Sequence, residues 1–164
     1  MAGAVLLVYL AVVVPTNRLF FLGASTLALH ILALEAGPAM GAVSVLAAAL
    51  LVFLLLPVGP WTLAFWGFFA PYALVKYGAD RLRWPGVAWV LKLLFFNLCL
   101  AGALTVLTTL SLGQEGRPSE LLARGSAWRA LVAAAGNAVF LVFDWALSYF
   151  ARYFMRRFRP GYRT

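Results

Sequence analysis

From Gly37 to Val75 the chain carries no Asp, Glu, Lys, Arg or His, and its only interruption is the turn Pro57-Val58-Gly59-Pro60. A soluble amphipathic helix keeps one polar face, whereas these segments are apolar all round, as a helix in lipid must be. Each is long enough to cross a bilayer. Extending the reading along the chain predicts helices at 2–14, 19–35, 38–56, 61–79, 86–112 and 127–154. Proline and glycine punctuate them at Pro15, Gly37-Pro38, Pro57, Pro60 and Pro85-Gly86. The pattern therefore predicts an all-α membrane protein, a six-transmembrane-helix bundle forming a single polytopic domain over residues 1–164. The first helix is short: Met1 to Val14 reaches only ~20 Å at helical rise, against a hydrocarbon core of ~30 Å. It is expected to be tilted, buried among its neighbours or truncated. Without a basic flank before it, it does not read as a cleaved signal peptide.

Composition agrees, with 65% hydrophobic and 11% charged residues and a mean hydropathy of +0.95. No nucleotide-binding module is visible, so ATP-driven work would require other subunits. The net charge of +8 sits at the ends of apolar segments and reads as a topology signal, with no nucleic-acid surface. Lys76, Arg81 and Arg83 follow the fourth helix, and Arg152, Arg156, Arg157, Arg159 and Arg163 follow the sixth. Basic loops stay in the cytoplasm, so both termini and the 76–86 loop are expected there, in a multi-pass protein of the cell (plasma) membrane. The segment Gly113–Gly125 is the one connection roomy enough for a lid. The arginine-rich tail suits anionic lipid headgroups or a docking partner.

Few polar residues fall inside the apolar segments: His30, Glu35, Lys76, Lys92, Asn97, Asn137 and Asp144. A charge inside a bilayer costs a few kcal/mol unless it is paired or hydrated. Lys92 lies ~9 Å along its helix from Gly86, and Asp144 ~12 Å along its helix from Arg152, so the two are at similar depth and are predicted to form an ion pair. That pair serves structure or an ion relay. Glu35 and Lys76 either pair in the same way or reach separately to water. Asn97 and Asn137 are expected to bond across helices. His30 reads as a satisfied core histidine; no Cys, His or carboxylate accompanies it at ligand spacing, so no metal and no cofactor are expected. Ser25 or Ser148 with His30 and Asp144 lacks a nucleophile elbow, and an enzyme is not expected. The lone Cys99 reads as a packing residue. Gly37/Gly41, Ala24/Ala28 and the strip Ser126, Ala130, Ala134, Ala138 are expected to mark close helix packing or a subunit-docking face. The rings from Trp61 to Tyr72 are expected to anchor and pack.

The succession Pro15-Thr16-Asn17-Arg18, Glu35-Ala36-Gly37-Pro38 through Gly41, Phe68-Phe69-Ala70-Pro71-Tyr72 with Lys76, and Lys92 through Asn97 resembles a family of small, uncharacterised membrane proteins of Gram-positive bacteria. More distantly, size, span number and the Gly-Pro-x-x-Gly turn resemble the substrate-binding S components of energy-coupling-factor (ECF) vitamin transporters. That resemblance implies an S-component-like fold and a substrate-binding subunit of an ATP-driven vitamin or small-molecule importer. Its partners would be a transmembrane coupling subunit with ATPases, the lipid bilayer and a small-molecule ligand. The alternative is a non-transporting membrane scaffold or assembly subunit. Ligand would enter from outside, which makes Thr16, Asn17, Arg18, Trp61, Gln114 and Glu115 the geometric candidates for contact. S components usually dock through an alanine-xxx-alanine strip on the first helix, and Ala2, Ala4 and Ala11 do not make that spacing.

Overall fold

The structure, a computed structural model, describes residues 1–111 and 126–158, with side chains over 1–106 and 130–157. Helices α1 (Ala2–Val13), α2 (Arg18–Ala36) and α3 (Pro38–Leu55) are followed by α4 (Pro60–Ala64), a π-helical turn (Phe65–Phe69) and α5 (Ala70–Asp80). Then come α6 (Pro85–Ser111) and α7 (Ser126–Phe158). No strand occurs among the described residues. Among the described residues four helices are long and apolar enough to cross a membrane: α2, α3, α6 over Pro85–Val106 and α7 over Ala130–Arg157. Length and composition thus mark a multi-pass membrane protein. The twelve-residue α1 and the divided run 60–80 are not among those four.

Loop chemistry sets the turns. Asn17 adopts a left-handed φ of 62° before α2, a conformation that asparagine enters more readily than most residues with a side chain. Gly37, at φ 89°, reverses the chain between α2 and α3, and Pro38 opens α3 where its missing N–H costs nothing. The reversal brings α3 hard against α2: a Cβ on Gly41 would stand 2.6 Å from that of Ala33. Gly23 in α2 likewise seats the ring of Phe143, which would lie 2.9 Å from an added Cβ.

The expected fourth helix is not uniform. Pro71 has no N–H for the carbonyl of Gly67, and its ring would clash with that carbonyl in a regular helix. The backbone widens instead: Ala70 donates to the Phe65 carbonyl, five residues back. Through both junctions it stays right-handed, so 60–80 is one continuous helical run. The Gly67 carbonyl takes its hydrogen bond from Cys99 Sγ on α6, at 3.2 Å. Cys99 is therefore a donor across helices as well as a packing residue.

Interhelical bonds fix the directions. Thr26 meets the Phe69 carbonyl and His30 the Ala73 carbonyl, four residues on in both helical segments, so α2 runs parallel to α5. Gly67 meets Cys99 and Asp80 meets Lys92, so α5 and α6 are antiparallel. One core gathers Val8, Leu22, Leu29, Val52 and Phe65; a second gathers Tyr72, Phe140 and Leu147. The alanine strip on α7 is not internal packing, since Ala130, Ala134 and Ala138 are exposed. The face that α7 turns inward carries Phe140, Asp144 and Leu147, and Ala138, two residues from Phe140, lies about 200° around the helix.

Candidate functional site

Four charges from three helices converge where α5, α6 and α7 meet. Lys76 Nζ lies 2.6 Å from Asp144 Oδ1 and 3.4 Å from Asp80 Oδ2. Lys92 Nζ lies 2.6 Å from Asp80 Oδ1 and 3.2 Å from Asp144 Oδ2. Each lysine bridges both carboxylates, forming a closed ring of alternating charge. Tyr72 donates its hydroxyl to Asp144 Oδ1 at 2.6 Å, and Lys76 also donates to Ser148 Oγ at 2.6 Å. His30 Nε2 stands 3.8 Å from Asp80 Oδ2, while its Nδ1 lies 3.2 Å from the Ala73 carbonyl. Lys76 and Asp144 are almost wholly buried, whereas the Asp80 side chain is 35% exposed. The ring is thus sealed at Lys76 and Asp144 and open at Asp80.

The predicted Lys92–Asp144 contact is present, but it is the longer of the two that Lys92 makes. Asp80 falls one residue beyond the helix expected over 61–79, among basic neighbours, and its i,i+4 spacing from Lys76 is the signal that would have found it. Glu35 corrects the expectation of a buried residue: it is exposed at the end of α2, and Lys76 bonds to Asp144 and Asp80 instead. Asn97 and Asn137 do pair, through bonds of 2.9 and 3.1 Å. They are not buried, Asn97 being exposed and Asn137 half-buried. Each amide also donates to the carbonyl four residues back, so the pair is satisfied without being enclosed.

A layer of rings lies one turn away on one side. Phe68, Phe96 and Phe140 precede Tyr72, follow Lys92 and precede Asp144 by four residues each, a displacement of ~6 Å toward the same end of the bundle. Phe96 stacks on Phe140 at 4.6 Å, and Phe68 contacts Tyr72, Phe96, Phe140 and Phe143. On the opposite side the ring opens into a cavity of about 570 Å³. His30, Asp80, Lys92, Asp144 and Ser148 line its inner part, and Tyr77, Arg81, Trp89 and Arg152 lie further along its wall. Its volume suits a small organic molecule. Among the described residues no group of three His, Cys, Asp or Glu is placed to hold a metal.

Of the candidates for ligand contact, Thr16, Asn17, Arg18 and Trp61 lie at the other end of the bundle. Thr16 and Asn17 are exposed in the α1–α2 turn, where Asn17 serves the backbone. Arg18 stacks over Trp61 at 5.2 Å, with its Nε buried and unpartnered. Gln114 and Glu115, with the whole Gly113–Gly125 connection, lie outside the described residues. Ser25 spends its hydroxyl on the Leu22 carbonyl and Ser148 donates to the Asp144 carbonyl. No protein-family model, curated protein or solved structure matches the chain. The site therefore stands on its own geometry.

Proposed function

We propose that this protein is the solute-binding membrane subunit of a transport system, and that its solute occupies the cavity over Asp80, Lys92 and Asp144. One observation carries the reading: a ring of four charges, sealed at Lys76 and Asp144, opens on one side to a cavity of mixed polar and apolar lining and is closed on the other by stacked aromatics. Packing alone does not require an ionic ring, since apolar residues of similar volume fill a core at no greater cost. Ionisable groups inside a membrane protein characteristically serve a substrate or ion path. A site held between helices and open to one side only has the layout of one access state of a carrier. The likeness to S components supports import with a coupling subunit and ATPases supplied separately, in a six-span bundle with both termini cytoplasmic. On that orientation the cavity faces the cytoplasm and represents the release side; capture would involve Arg18 and Trp61 at the outer end.

A scaffold role is the second reading, favoured by the internal charge balance of the ring, whose two lysines and two carboxylates satisfy one another. Purification in a neutral detergent followed by native mass spectrometry separates the two. The transport reading expects one small molecule bound about 1:1, raising the melting temperature by mass action and bound more weakly by Asp80→Asn, which leaves Lys92 paired with Asp144. Protein without any bound molecule, combined with a Lys92→Met/Asp80→Leu variant as stable as the parent, would give the place to the scaffold.

A further inference from the structure

The charges around the cavity do not cancel. Lys76 and Lys92 are matched by Asp80 and Asp144, each carboxylate within 3.4 Å of both lysines. Arg81 and Arg152 also line the cavity, and neither forms an ion pair among the described residues. Glu35 does not line it. Lys76 lies behind the cavity wall and completes the neutral ring, so the two positive charges left over are those of Arg81 and Arg152, exposed guanidiniums at the end of the cavity away from the rings. Arg81 is held over the Tyr77 ring at 4.3 Å, which restrains it beside the opening. Tyr77 itself is buried, lines the cavity, and has a hydroxyl with no hydrogen-bond partner. An unsatisfied buried hydroxyl is costly and uncommon, and a ligand oxygen would relieve it.

Resting on the solute-binding reading above, we propose that the cavity binds a phosphate monoester, with the phosphate between Arg81 and Arg152 and within reach of Tyr77. A phosphomonoester carries about −1.5 to −2 charges near pH 7, which matches the surplus of two. Guanidiniums bind phosphate oxygens through paired N–H donors, a geometry that a lysine does not reproduce. The organic part of the ester would extend inward past Trp89 and Ala88, where Asp80 accepts from a hydroxyl or amine. Carboxylate repulsion does not oppose this arrangement: Asp144 is engaged by Lys76, Lys92 and Tyr72, and Asp80 by Lys92 and Lys76. Two sources offer this chemistry, a water-borne phosphate ester and a phosphatidic-acid-type lipid headgroup.

The full chain in dodecyl maltoside, titrated with glycerol 3-phosphate and separately with dihexanoyl phosphatidic acid, tests the assignment. Dihexanoyl phosphatidylcholine and glycerol serve as controls, with melting temperature and native mass as readouts. At least one phosphomonoester is expected to bind 1:1 and raise the melting temperature. Glycerol 3-phosphate binding identifies the water-borne source; binding of phosphatidic acid alone identifies the headgroup. Affinity should fall about tenfold or more in Arg81→Gln/Arg152→Gln and about threefold in Tyr77→Phe. It should hold in Arg156→Gln/Arg157→Gln, an exposed pair that does not line the cavity. Three results overturn the assignment: no response to either phosphate probe, equal binding of phosphatidylcholine, or an equal loss in the Arg156/Arg157 variant. If the phosphate probes fail while another molecule co-purifies and is lost in Asp80→Asn, the phosphate assignment falls and the solute-binding reading stands.

Discussion

Lys76 has no exposed side-chain surface, and Asp144 Oδ1 at 2.6 Å is its nearest counter-charge. Removing either partner alone leaves a buried charge with diminished compensation. Lys76→Met or Asp144→Leu should therefore cost about 3–5 kcal/mol of stability in detergent, and the double variant markedly less than the sum. Lys92 keeps Asp80 when Asp144 is lost, so a Lys92/Asp144 cycle should show the smaller coupling. Strict additivity in the Lys76/Asp144 cycle, measured by unfolding in a denaturant series, would show that the ring does not hold these two together. Part of this site was legible in the sequence, because helical rise alone put Lys92 and Asp144 at one depth. Asp80 was hidden by its neighbours. Surrounded by Lys76, Arg81 and Arg83 it reads as a loop residue among topology signals, and only the extension of α5 to Asp80 makes it one corner of the ring. Depth arithmetic also could not say that Lys76 outranks Lys92 as partner, since that follows from which faces of α5 and α7 meet.

At the scale of elements, glycine, proline and cysteine act through backbone geometry that charge patterns do not reveal. Helix ends fell within a few residues of the expected ones because Gly37-Pro38, Pro60 and Pro85 punctuate the chain. The apolar pattern does not show the π-helical turn; its one mark in the sequence is Pro71, eleven residues beyond the opening proline of its run and far too deep to be a first-turn residue. Its widened backbone exposes the Gly67 carbonyl, and Cys99 answers it. Cys99→Val should cost about 0.5–1.5 kcal/mol in the native background. The cost should shrink in Pro71→Ala, where the restored N–H returns a donor to Gly67; an unchanged cost would separate Cys99 from the π-helical turn. The α2–α3 contact offers a steric test. Gly41→Val drives a branched side chain against Ala33 and should destabilise by about 1–3 kcal/mol, with partial recovery in Ala33→Gly. No recovery in the pair would show that the two helices meet elsewhere.

For the whole molecule, the apolar pattern made the membrane class readable, while the location of the cavity was not, because it depends on how three helices pack. The polar turn at Thr16–Arg18 attracts the expectation of ligand contact, yet the cavity over the ring of charges lies at the opposite end. Among the described residues four helices satisfy the length of a span outright, so the six-span reading rests on the short α1 and on the divided run 60–80. Accessibility of single cysteines in a Cys99→Ala background decides between these counts. Gly3, Val58, Arg83 and Arg156 bracket the helical runs, and the clusters of basic residues hold Arg83 and Arg156 in the cytoplasm. Cysteine at Val58 should react with an impermeant thiol reagent in intact cells; cysteines at Gly3, Arg83 and Arg156 should react only after permeabilisation. Opposite accessibility at Gly3 and Val58 requires an odd number of crossings over α1 to α3, and therefore that α1 spans. If Gly3, Val58 and Arg83 all lie on one face, neither α1 nor the run 60–80 crosses, and the ring of charges is carried by a four-span bundle with the helices of 60–80 inserted from one side. If Val58 is shielded and Arg83 labels, the whole bundle is inverted and the cavity over Asp80 becomes the outward, capturing one.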